Sequence, residues 1–251
     1  MMKYHAIAID GPSGAGKSTV AKELSSLLEF IYIDTGAMYR AIGLYTAKKG
    51  VAANDREKVP ALLSEIKLEL GFIEGVQHIF LNGEDVSGQI RTEEASKRAS
   101  DVSAIPEVRA FLLEFQRSFA KTNNVIMDGR DIGTVVLPEA DLKIFLTATA
   151  EARAQRRYAE QIAKGMDVTY EQVLEGMRVR DLQDSTRAAA PLKPADDAVF
   201  VDSTDMDLQQ TIDHIRIIAK ETLGVESRLL FPLYRTVSHL RISFCRPGKH
   251  P

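Results

Sequence analysis

The sequence contains one cysteine, no tryptophan and no apolar run that approaches the length of a membrane span. The single thiol, Cys245, excludes an intramolecular disulfide framework and fits a reducing compartment. The chain does not open with a charged stretch and an apolar segment that ends at a cleavage site, so we expect no signal peptide. These absences predict a cytoplasmic protein that acts without a membrane.

The chain also lacks an excess of basic residues. Its 32 lysines and arginines stand against 35 aspartates and glutamates, which gives a net charge of −3. Proteins that bind nucleic acid non-specifically usually carry a basic domain, so we expect no nucleic-acid partner. A chain of 251 residues, 45% of them hydrophobic, can form one sizeable core with an inserted subdomain.

The most informative segment is Gly11–Ser18, which matches the complete phosphate-loop pattern G-x-x-x-x-G-K-[ST]. It follows the apolar run Tyr4–Ile9 and precedes Thr19–Leu28, which has helical periodicity. In this setting the backbone N–H groups and the helix N-terminus face phosphate oxygens, whereas in another setting the octet would be only a loop. The pattern predicts a nucleoside triphosphate site formed by Gly11, Pro12, Ser13, Gly14, Ala15, Gly16, Lys17, Ser18 and Thr19.

A metal position is predicted beside this loop. Lys17 is expected to reach the β- and γ-phosphates, and the Ser18 hydroxyl to bind Mg²⁺. Val125–Met127 is typical of a short buried strand, and Asp128 stands at its carboxyl end. An acid at that point of a parallel sheet holds the metal of the nucleotide, usually through water. The alternative for Asp128 is an ordinary Asp-Gly turn.

Short apolar runs alternate with helical stretches along the chain, which is typical of a parallel sheet covered on both faces. We therefore predict an α/β fold with a three-layer P-loop NTPase core around a parallel five-stranded sheet. The predicted strands are Ala6–Ile9, Ile31–Ile33, Val125–Met127, Leu142–Leu146 and Ala198–Val201. The predicted helices are Thr19–Leu28, Ala37–Lys48, Glu93–Ala99, Pro106–Lys121, Ala150–Lys164, Tyr170–Asp184 and Leu208–Leu223.

One segment departs from this alternation. Lys67–Ile73 and Gln77–Leu81, followed by an Asn82-Gly83 turn, have the pattern of antiparallel hairpin strands. Residues 62–92 are therefore predicted to form a small antiparallel, β-rich insertion in the core.

The last segment is set apart by its composition. Gly224 is expected to end the last helix, so we assign 1–225 to a single domain and 226–251 to a C-terminal extension. The extension contains no acidic residue after Glu226. It is either a basic arm that docks on a partner or, as we expect, a poorly ordered appendage.

Arginines recur on the two predicted helices on either side of Gly165, at Arg153, Arg156, Arg157, Arg178 and Arg180. Phosphoryl transfer needs positive charge over oxygens that carry developing negative charge, and arginine supplies it in bidentate geometry. We predict an Arg-rich helical lid over 153–187 that closes over phosphates and excludes water. The alternative is a solvated helical face on which these arginines pair with Glu151, Glu160, Glu171 and Glu175.

Several segments, in order along residues 4–224, closely resemble the bacterial cytidylate kinase family. They are Gly11–Ser18, Asp34–Arg40, Gly83–Ser87, Ile90–Thr92, Asp128–Val136, and the stretch from Arg180 to Arg187. The Asp-Thr-Gly-Ala-Met-Tyr-Arg and Asp-Gly-Arg-Asp sequences are much more specific than the phosphate loop. The resemblance implies a P-loop nucleoside monophosphate kinase that transfers the γ-phosphoryl group of ATP to CMP or dCMP with Mg²⁺, giving CDP or dCDP and ADP. It also implies that the β-rich insertion is part of the monophosphate-binding region.

The resemblance implies roles for individual residues. The family's residues that hydrogen-bond cytosine correspond to Ser100, Arg109 and Asp131. Arginines that hold the acceptor's α-phosphate fall on Arg40 and Arg130. Residues near the pentose or the base fall on Arg180, Asp184 and Arg187. Positions with a catalytic charge fall on Lys17, Arg130, Arg157 and Arg180. Thr35 stands where many members carry serine, and its extra methyl group either leaves the contact intact or changes the preference between ribose and deoxyribose.

Other interpretations stay open at the level of sequence. Taken singly, Ser100, Arg109 and Asp184 have ordinary structural explanations. The whole chain could be another small-molecule kinase with a different acceptor. It could also be a GTP-dependent switch, although the chain has no N-K-x-D guanine signature. We expect a monomer, while the oligomeric state, the preference between CMP and dCMP, the tolerance of UMP and the role of 226–251 are not fixed by the sequence.

Overall fold

The computed structural model describes residues 4–73, 75–224 and 240–244. The chain divides into two compact units, which are Met1–Ile33 with Phe119–Arg228 and Asp34–Ser118 with Leu229–Pro251. Among the described residues, none of the helices combines the length and the apolar character that crossing a membrane requires.

The first unit contains the predicted five-stranded sheet, in the spatial order β2-β6-β1-β7-β8. The strands are β1 (Ala6–Asp10), β2 (Ile31–Asp34), β6 (Val125–Gly129), β7 (Leu142–Thr147) and β8 (Val199–Asp202). Strand β1 runs parallel to both β6 and β7, and β7 runs parallel to β8. All five predicted strands are confirmed, each within about two residues of its predicted bounds.

The helices of this unit are α1 (Lys17–Leu28), α6 (Ala150–Ala163), α7 (Tyr170–Thr186) and α8 (Leu208–Leu223). A shared apolar core fixes α1 and α8 against the sheet because the buried side chains of each helix recur at helical spacing. Its members on β1 and on the two helices are Ile7, Ile9, Val20, Ala21, Leu24, Ile212, Ile215 and Ala219.

The second unit contains α2 (Thr35–Lys48), α3 (Lys58–Leu62), α4 (Glu93–Ser103) and α5 (Pro106–Ala120). Its sheet has the order β5-β4-β3-β9, with β3 (Leu68–Ile73), β4 (Val76–Leu81), β5 (Glu84–Asp85) and β9 (Leu240–Phe244). The pairs β3–β4 and β4–β5 are antiparallel, which confirms the predicted β-rich insertion.

The Asn82-Gly83 turn joins β4 to β5. Both residues have positive φ, 51° for Asn82 and 88° for Gly83. Two central residues with positive φ define the type I′ turn, which matches the twist of the flanking strands. Asparagine and glycine tolerate this backbone better than other residues do, so the turn follows directly from the local sequence.

Strand β9 lies within the predicted C-terminal extension. It pairs antiparallel with β3, with Leu68 opposite Phe244 and Phe72 opposite Leu240. Residues 226–239 and 245–251 lie outside the described part of the chain. The assignment of 1–225 to a single domain and of 226–251 to an appendage stays a prediction.

The pairing of β9 with β3 generates a test by truncation. Removal of 226–251 deletes β9, and the β3 amides that donate to β9 should then exchange with solvent about fivefold faster, because each lost hydrogen bond is worth about 1 kcal/mol. Turnover is expected to persist, since every predicted site residue lies before residue 188. Hydrogen–deuterium exchange of 68–72 measures the effect.

The matched control is a shorter truncation that removes only 245–251 and keeps β9. Its β3 amides should exchange at the rate of the full chain. Equal exchange rates in the two truncated proteins would show that β9 does not protect β3.

Candidate active site

The phosphate loop joins β1 to α1, and its first position admits only glycine. A Cβ atom at Gly11 would lie 1.9 Å from the carbonyl oxygen of Leu146, and its φ is 147°. The loop therefore runs directly against β7 at its carboxyl-terminal half. Helix α1 begins at Lys17, so the free N–H groups of its first turn are available to a phosphate.

Lys17 is buried in this loop, and its Nζ donates to the carbonyl oxygen of Pro12 over 2.7 Å. Burial holds the pKa of the Lys17 amine well below its ordinary value, and the charge of Arg130 lowers it further. The carboxylates of Asp128 and Asp10 oppose this shift. A phosphate beside the amine would add negative charge and favour the protonated form.

Asp128 lies near the carboxyl end of β6, and each of its oxygens accepts a hydrogen bond. The Ser18 hydroxyl donates to Oδ2 over 2.8 Å, and the Tyr32 hydroxyl donates to Oδ1 over 2.9 Å. Strand β6 lies between β2, which carries Tyr32, and β1, which leads into the phosphate loop. The fold thus brings together the two residues predicted to hold the metal.

The chemistry of this pair fits Mg²⁺. The ion prefers oxygen ligands and usually takes one or two carboxylates together with phosphate oxygens and water. Ser18 and Asp128 offer a hydroxyl and a carboxylate. In the described ranges, no three or more His, Cys, Asp or Glu side chains form a metal-binding group, so an ion here would take its other ligands from phosphate and solvent.

Four predicted substrate residues form a buried cluster of opposite charges, made of Arg130, Asp131, Asp184 and Arg187. The Nε of Arg130 donates to Oδ2 of Asp184 over 2.7 Å. Arg187 lies between the two acids, 3.5 Å from Oδ1 of Asp131 and 3.8 Å from Oδ1 of Asp184. Burial opposes the ionisation of Asp184, but the charges of Arg130 and Arg180 hold the pKa of its carboxyl below the ordinary value.

Arg180 is half-buried on α7. Its charge lowers the pKa of both Lys17 and Asp184, so it acts electrostatically on the phosphate loop and on the charge cluster at once.

Asp10, the last residue of β1, is a buried acid that the sequence analysis did not select. Its Oδ1 accepts the N–H of Ile132 over 2.8 Å, and its Oδ2 accepts the N–H of Gly133 over 2.7 Å. Burial raises the pKa of Asp10 to about 6, against the effect of these two bonds. Ile132–Val136 forms a single π-helical turn, a form that is frequent at functional sites.

Arg153 ties α6 to the phosphate loop and to α7. The side chain is buried, and its Nε donates to the carbonyl oxygen of Ala148 over 2.8 Å. Its Nη1 donates to the carbonyl oxygen of Ser13 over 2.9 Å, and both terminal nitrogens donate to Asp181, at 3.2 and 2.6 Å. Since Asp181 is the neighbour of Arg180 in the sequence, this network fixes α7 relative to the loop.

Two other arginines of the predicted lid pair with glutamates at the surface. Arg157 donates to Glu160 on its own helix over 2.9 Å, and Arg178 donates to Glu151 over 2.7 Å. These pairs agree with the solvated-face alternative for these two arginines. Arg157 was predicted to be catalytic, and the geometry places it on Glu160 rather than in the buried charge cluster.

The remaining predicted substrate residues belong to the second unit. Asp34 caps α2 by accepting the N–H of Ala37 over 2.9 Å, and its other oxygen accepts from Nη2 of Arg40 over 2.6 Å. Thr35 is buried beside this cap. The cap therefore orients Arg40 through its own side chain.

Two buried polar atoms in this unit have no hydrogen-bond partner within the described residues, Oγ of Ser100 and Nε of Arg40. Buried polar atoms are rarely left unpaired, so both are available to a polar ligand. Arg109 is held differently. Its guanidinium lies 5.7 Å from the centre of the Tyr39 ring, and its Nη1 donates to the carbonyl oxygen of Ser103 over 3.3 Å.

Two residues of the site were not predicted from the sequence: Tyr32, which donates to Asp128, and Asp10, which accepts from the amides of Ile132 and Gly133 next to Asp131. A local signal existed for Asp10, because it is an acid that ends the apolar run Ala6–Ile9 directly before Gly11. No local signal marks Tyr32, whose partner Asp128 is 96 residues away along the chain.

The chain is similar to known proteins over most of its length. The family model described as "Cytidylate kinase" matches residues 7–221. A cytidylate kinase from Caldicellulosiruptor bescii is 51% identical over 85% of this chain and 95% of its own length. A cytidylate kinase from Caldicellulosiruptor saccharolyticus is 48% identical over 90% of this chain and all of its own length. Among solved structures, a shikimate kinase from Bacteroides thetaiotaomicron is similar over 88% of this chain and 99% of its own, at 15% identity and a TM-score of 0.43.

The Arg153 network generates a prediction. In an Arg153→Lys variant a single ammonium cannot reproduce the planar set of donors to Ala148, Ser13 and Asp181. Because hydrogen bonds to charged groups are worth about 1.5–3 kcal/mol, we expect nucleoside triphosphate binding to weaken about tenfold. Isothermal titration calorimetry measures the change.

Arg156→Lys is the matched control, since Arg156 lies on the same helix and donates to the carbonyl oxygens of Ser203 and Met206. We expect a comparable loss of thermal stability without a loss of nucleotide affinity. Equal affinities in the two variants would contradict a role of Arg153 in holding the loop.

Proposed function

The chain belongs to the cytidylate kinase family, and on that premise we propose that it transfers the γ-phosphoryl group of ATP to CMP or dCMP, giving ADP and CDP or dCDP. The observation that carries this proposal is the buried cluster of Arg130, Asp131, Asp184 and Arg187. It lies in the same unit as the phosphate loop, and its alternating charges suit an acceptor that has both a phosphate and a polar base.

The donor side binds the triphosphate. The phosphate loop offers backbone N–H groups, and Lys17 offers a buried amine whose protonation a phosphate would favour. The Ser18–Asp128 pair would hold Mg²⁺, which when bound neutralises charge on the phosphate oxygens. Tyr32 keeps the Asp128 carboxylate oriented through its hydrogen bond to the second oxygen.

The transfer needs no nucleophile from the protein. An oxygen of the CMP phosphate already carries negative charge, so it can attack the γ-phosphorus while the bond to the bridging oxygen of ADP breaks. We assign to Arg130 and Arg180 the stabilisation of charge on the transferred group, because the charge of each lowers the pKa of Lys17 in the phosphate loop. Positioning and charge stabilisation then supply the catalysis.

Recognition of cytosine needs an acceptor for its exocyclic amine and donors for its ring acceptors. Asp131 supplies a buried carboxylate, which suits the amine. Ser100 and Arg109 supply a hydroxyl with no partner among the described residues and a guanidinium. Each of these groups disfavours a base that would leave it unpaired. Thr35 and Arg40 are proposed to contact the acceptor as well, on its sugar and phosphate.

The proposal also assigns a role to the two helices on either side of Gly165. Helices α6 and α7 are joined through Gly165, where φ is 73°, and we assign them the role of a lid that excludes water during transfer. We further propose that the protein acts as a monomer in the cytoplasm. Light scattering of the purified protein checks the monomer.

A substrate panel tests the function. The purified chain is assayed with ATP and Mg²⁺ against CMP, dCMP, UMP, AMP and GMP in an ADP-coupled assay. We expect strong turnover with CMP or dCMP. Strong turnover of AMP without CMP would overturn the proposal, and slow nucleotide hydrolysis that CMP does not change would favour a nucleotide-dependent switch.

The role of Asp131 gives a sharper prediction. Asp131→Ala removes the acceptor for the cytosine amine and leaves Arg187 without one of its two acidic neighbours. We expect kcat/KM for CMP to fall about a hundredfold or more, since loss of a partner to a buried charged group costs about 3 kcal/mol, while ATP affinity is unchanged. Steady-state kinetics and calorimetry measure the two effects.

Asp197→Ala is the control for this variant. Asp197 is an exposed acid that pairs with Lys143 in the same unit. Its removal should leave CMP kinetics unchanged, and an unchanged CMP profile in Asp131→Ala would contradict the cytosine role of Asp131.

A further inference from the structure

Asp10 is a buried acid whose two oxygens are each committed to one backbone N–H. It is 4% exposed, and its partners are the amides of Ile132 and Gly133. These amides directly follow Asp131, the residue proposed to read the cytosine amine. Asp10 also directly precedes Gly11, so one side chain links the start of the phosphate loop to the acceptor segment.

The backbone of Asp131 is held on both sides of one peptide unit. The N–H of Ile132 belongs to the peptide that follows Asp131, and it donates to Asp10. The carbonyl oxygen of that same peptide accepts from the N–H of Val135 over 2.9 Å and of Val136 over 3.2 Å. The peptide plane is therefore fixed, and with it the ψ of Asp131, which is 28° at a φ of −149°. This conformation is neither helical nor extended, so local preference does not supply it.

Only a carboxylate satisfies both amides. An aspartate has two acceptor oxygens, and each of the two N–H groups takes one. An asparagine side chain has one oxygen and an NH₂ group that only donates. In an Asp10→Asn variant one of the two amides would face another donor and lose its bond, although the shape of the side chain is retained.

We propose that Asp10 is a positioning residue for the acceptor, which acts by fixing the backbone of Asp131. The proposal rests on the proposed role of Asp131 in binding CMP. Asp10 does not touch the acceptor. It holds the peptide from which the Asp131 carboxylate projects, and so keeps that carboxylate beside Arg187.

A double-mutant cycle tests this role with Asp10→Asn, Asp131→Ala and the double variant. We expect Asp10→Asn to lower kcat/KM for CMP about tenfold, as for an unpaired buried donor, with the dissociation constant for ATP unchanged. In the Asp131→Ala background the same substitution should cause no further loss, because Asp10 acts through Asp131. Additive losses, or a normal kcat/KM in Asp10→Asn, would overturn the proposal.

The matched control is Asp141→Asn. The Asp141 carboxylate accepts the N–H of Ala6 over 3.0 Å at the other end of β1, so this variant also alters an acid that binds the backbone of the same strand. Its kcat/KM for CMP should equal that of the unmodified chain. An equal loss in this control would assign the effect of Asp10→Asn to general destabilisation and overturn the proposal.

A measurement on the unmodified chain covers the case in which Asp10→Asn does not fold. Hydrogen–deuterium exchange should find the amides of Ile132 and Gly133 strongly protected, and exchange at the rate of free amides would overturn the proposal. The unmodified chain also separates the two proposals. If it does not phosphorylate CMP, the proposed function fails, whereas CMP turnover with an additive cycle refutes only the role of Asp10.

Discussion

Burial of opposite charges at the carboxyl ends of β1 and β6 is the constraint on which the site depends. Charged groups in a protein interior are tolerated only when each finds a partner. Lys17 is balanced by Asp128 and Asp10, and Arg130 is paired with Asp184. These charges compensate one another across two segments of the chain, so the phosphate loop and the Asp-Gly-Arg-Asp segment have to be positioned together.

The parallel sheet makes this arrangement possible. Strand β1 lies between β6 and β7, so the loop after β1 emerges beside the segment after β6 and against the backbone of Leu146 on β7. Helices α6 and α7 are tied to the phosphate loop by Arg153. This α6 side chain donates to the carbonyl oxygen of Ser13 in the loop and to Asp181 on α7. The backbone of the phosphate loop therefore both binds the donor and packs against the core.

Local patterns predicted most of the fold and part of the candidate site. The strand, loop and helix around Gly11–Ser18 and the Asn82-Gly83 hairpin follow from short-range sequence, because glycine and asparagine tolerate backbone conformations that other residues avoid. Pairings between distant segments could not be predicted in this way. The hydrogen bond from Tyr32 to Asp128 and the pairing of β9 with β3 depend on which strands become neighbours.

The sequence by itself determined the α/β architecture, the phosphate loop and the family, since these depend on periodicity and on contiguous motifs. The tertiary structure decided which charged side chains share one buried environment. Arg153 and Arg157 stand on one predicted helical face, yet Arg153 is buried on the loop and Arg157 pairs with Glu160 near the surface. The role of Asp10 likewise depends on its amide partners Ile132 and Gly133, which are 122 and 123 residues away along the chain. Burial and partner geometry are properties of the packed chain, and no spacing along the sequence specifies them.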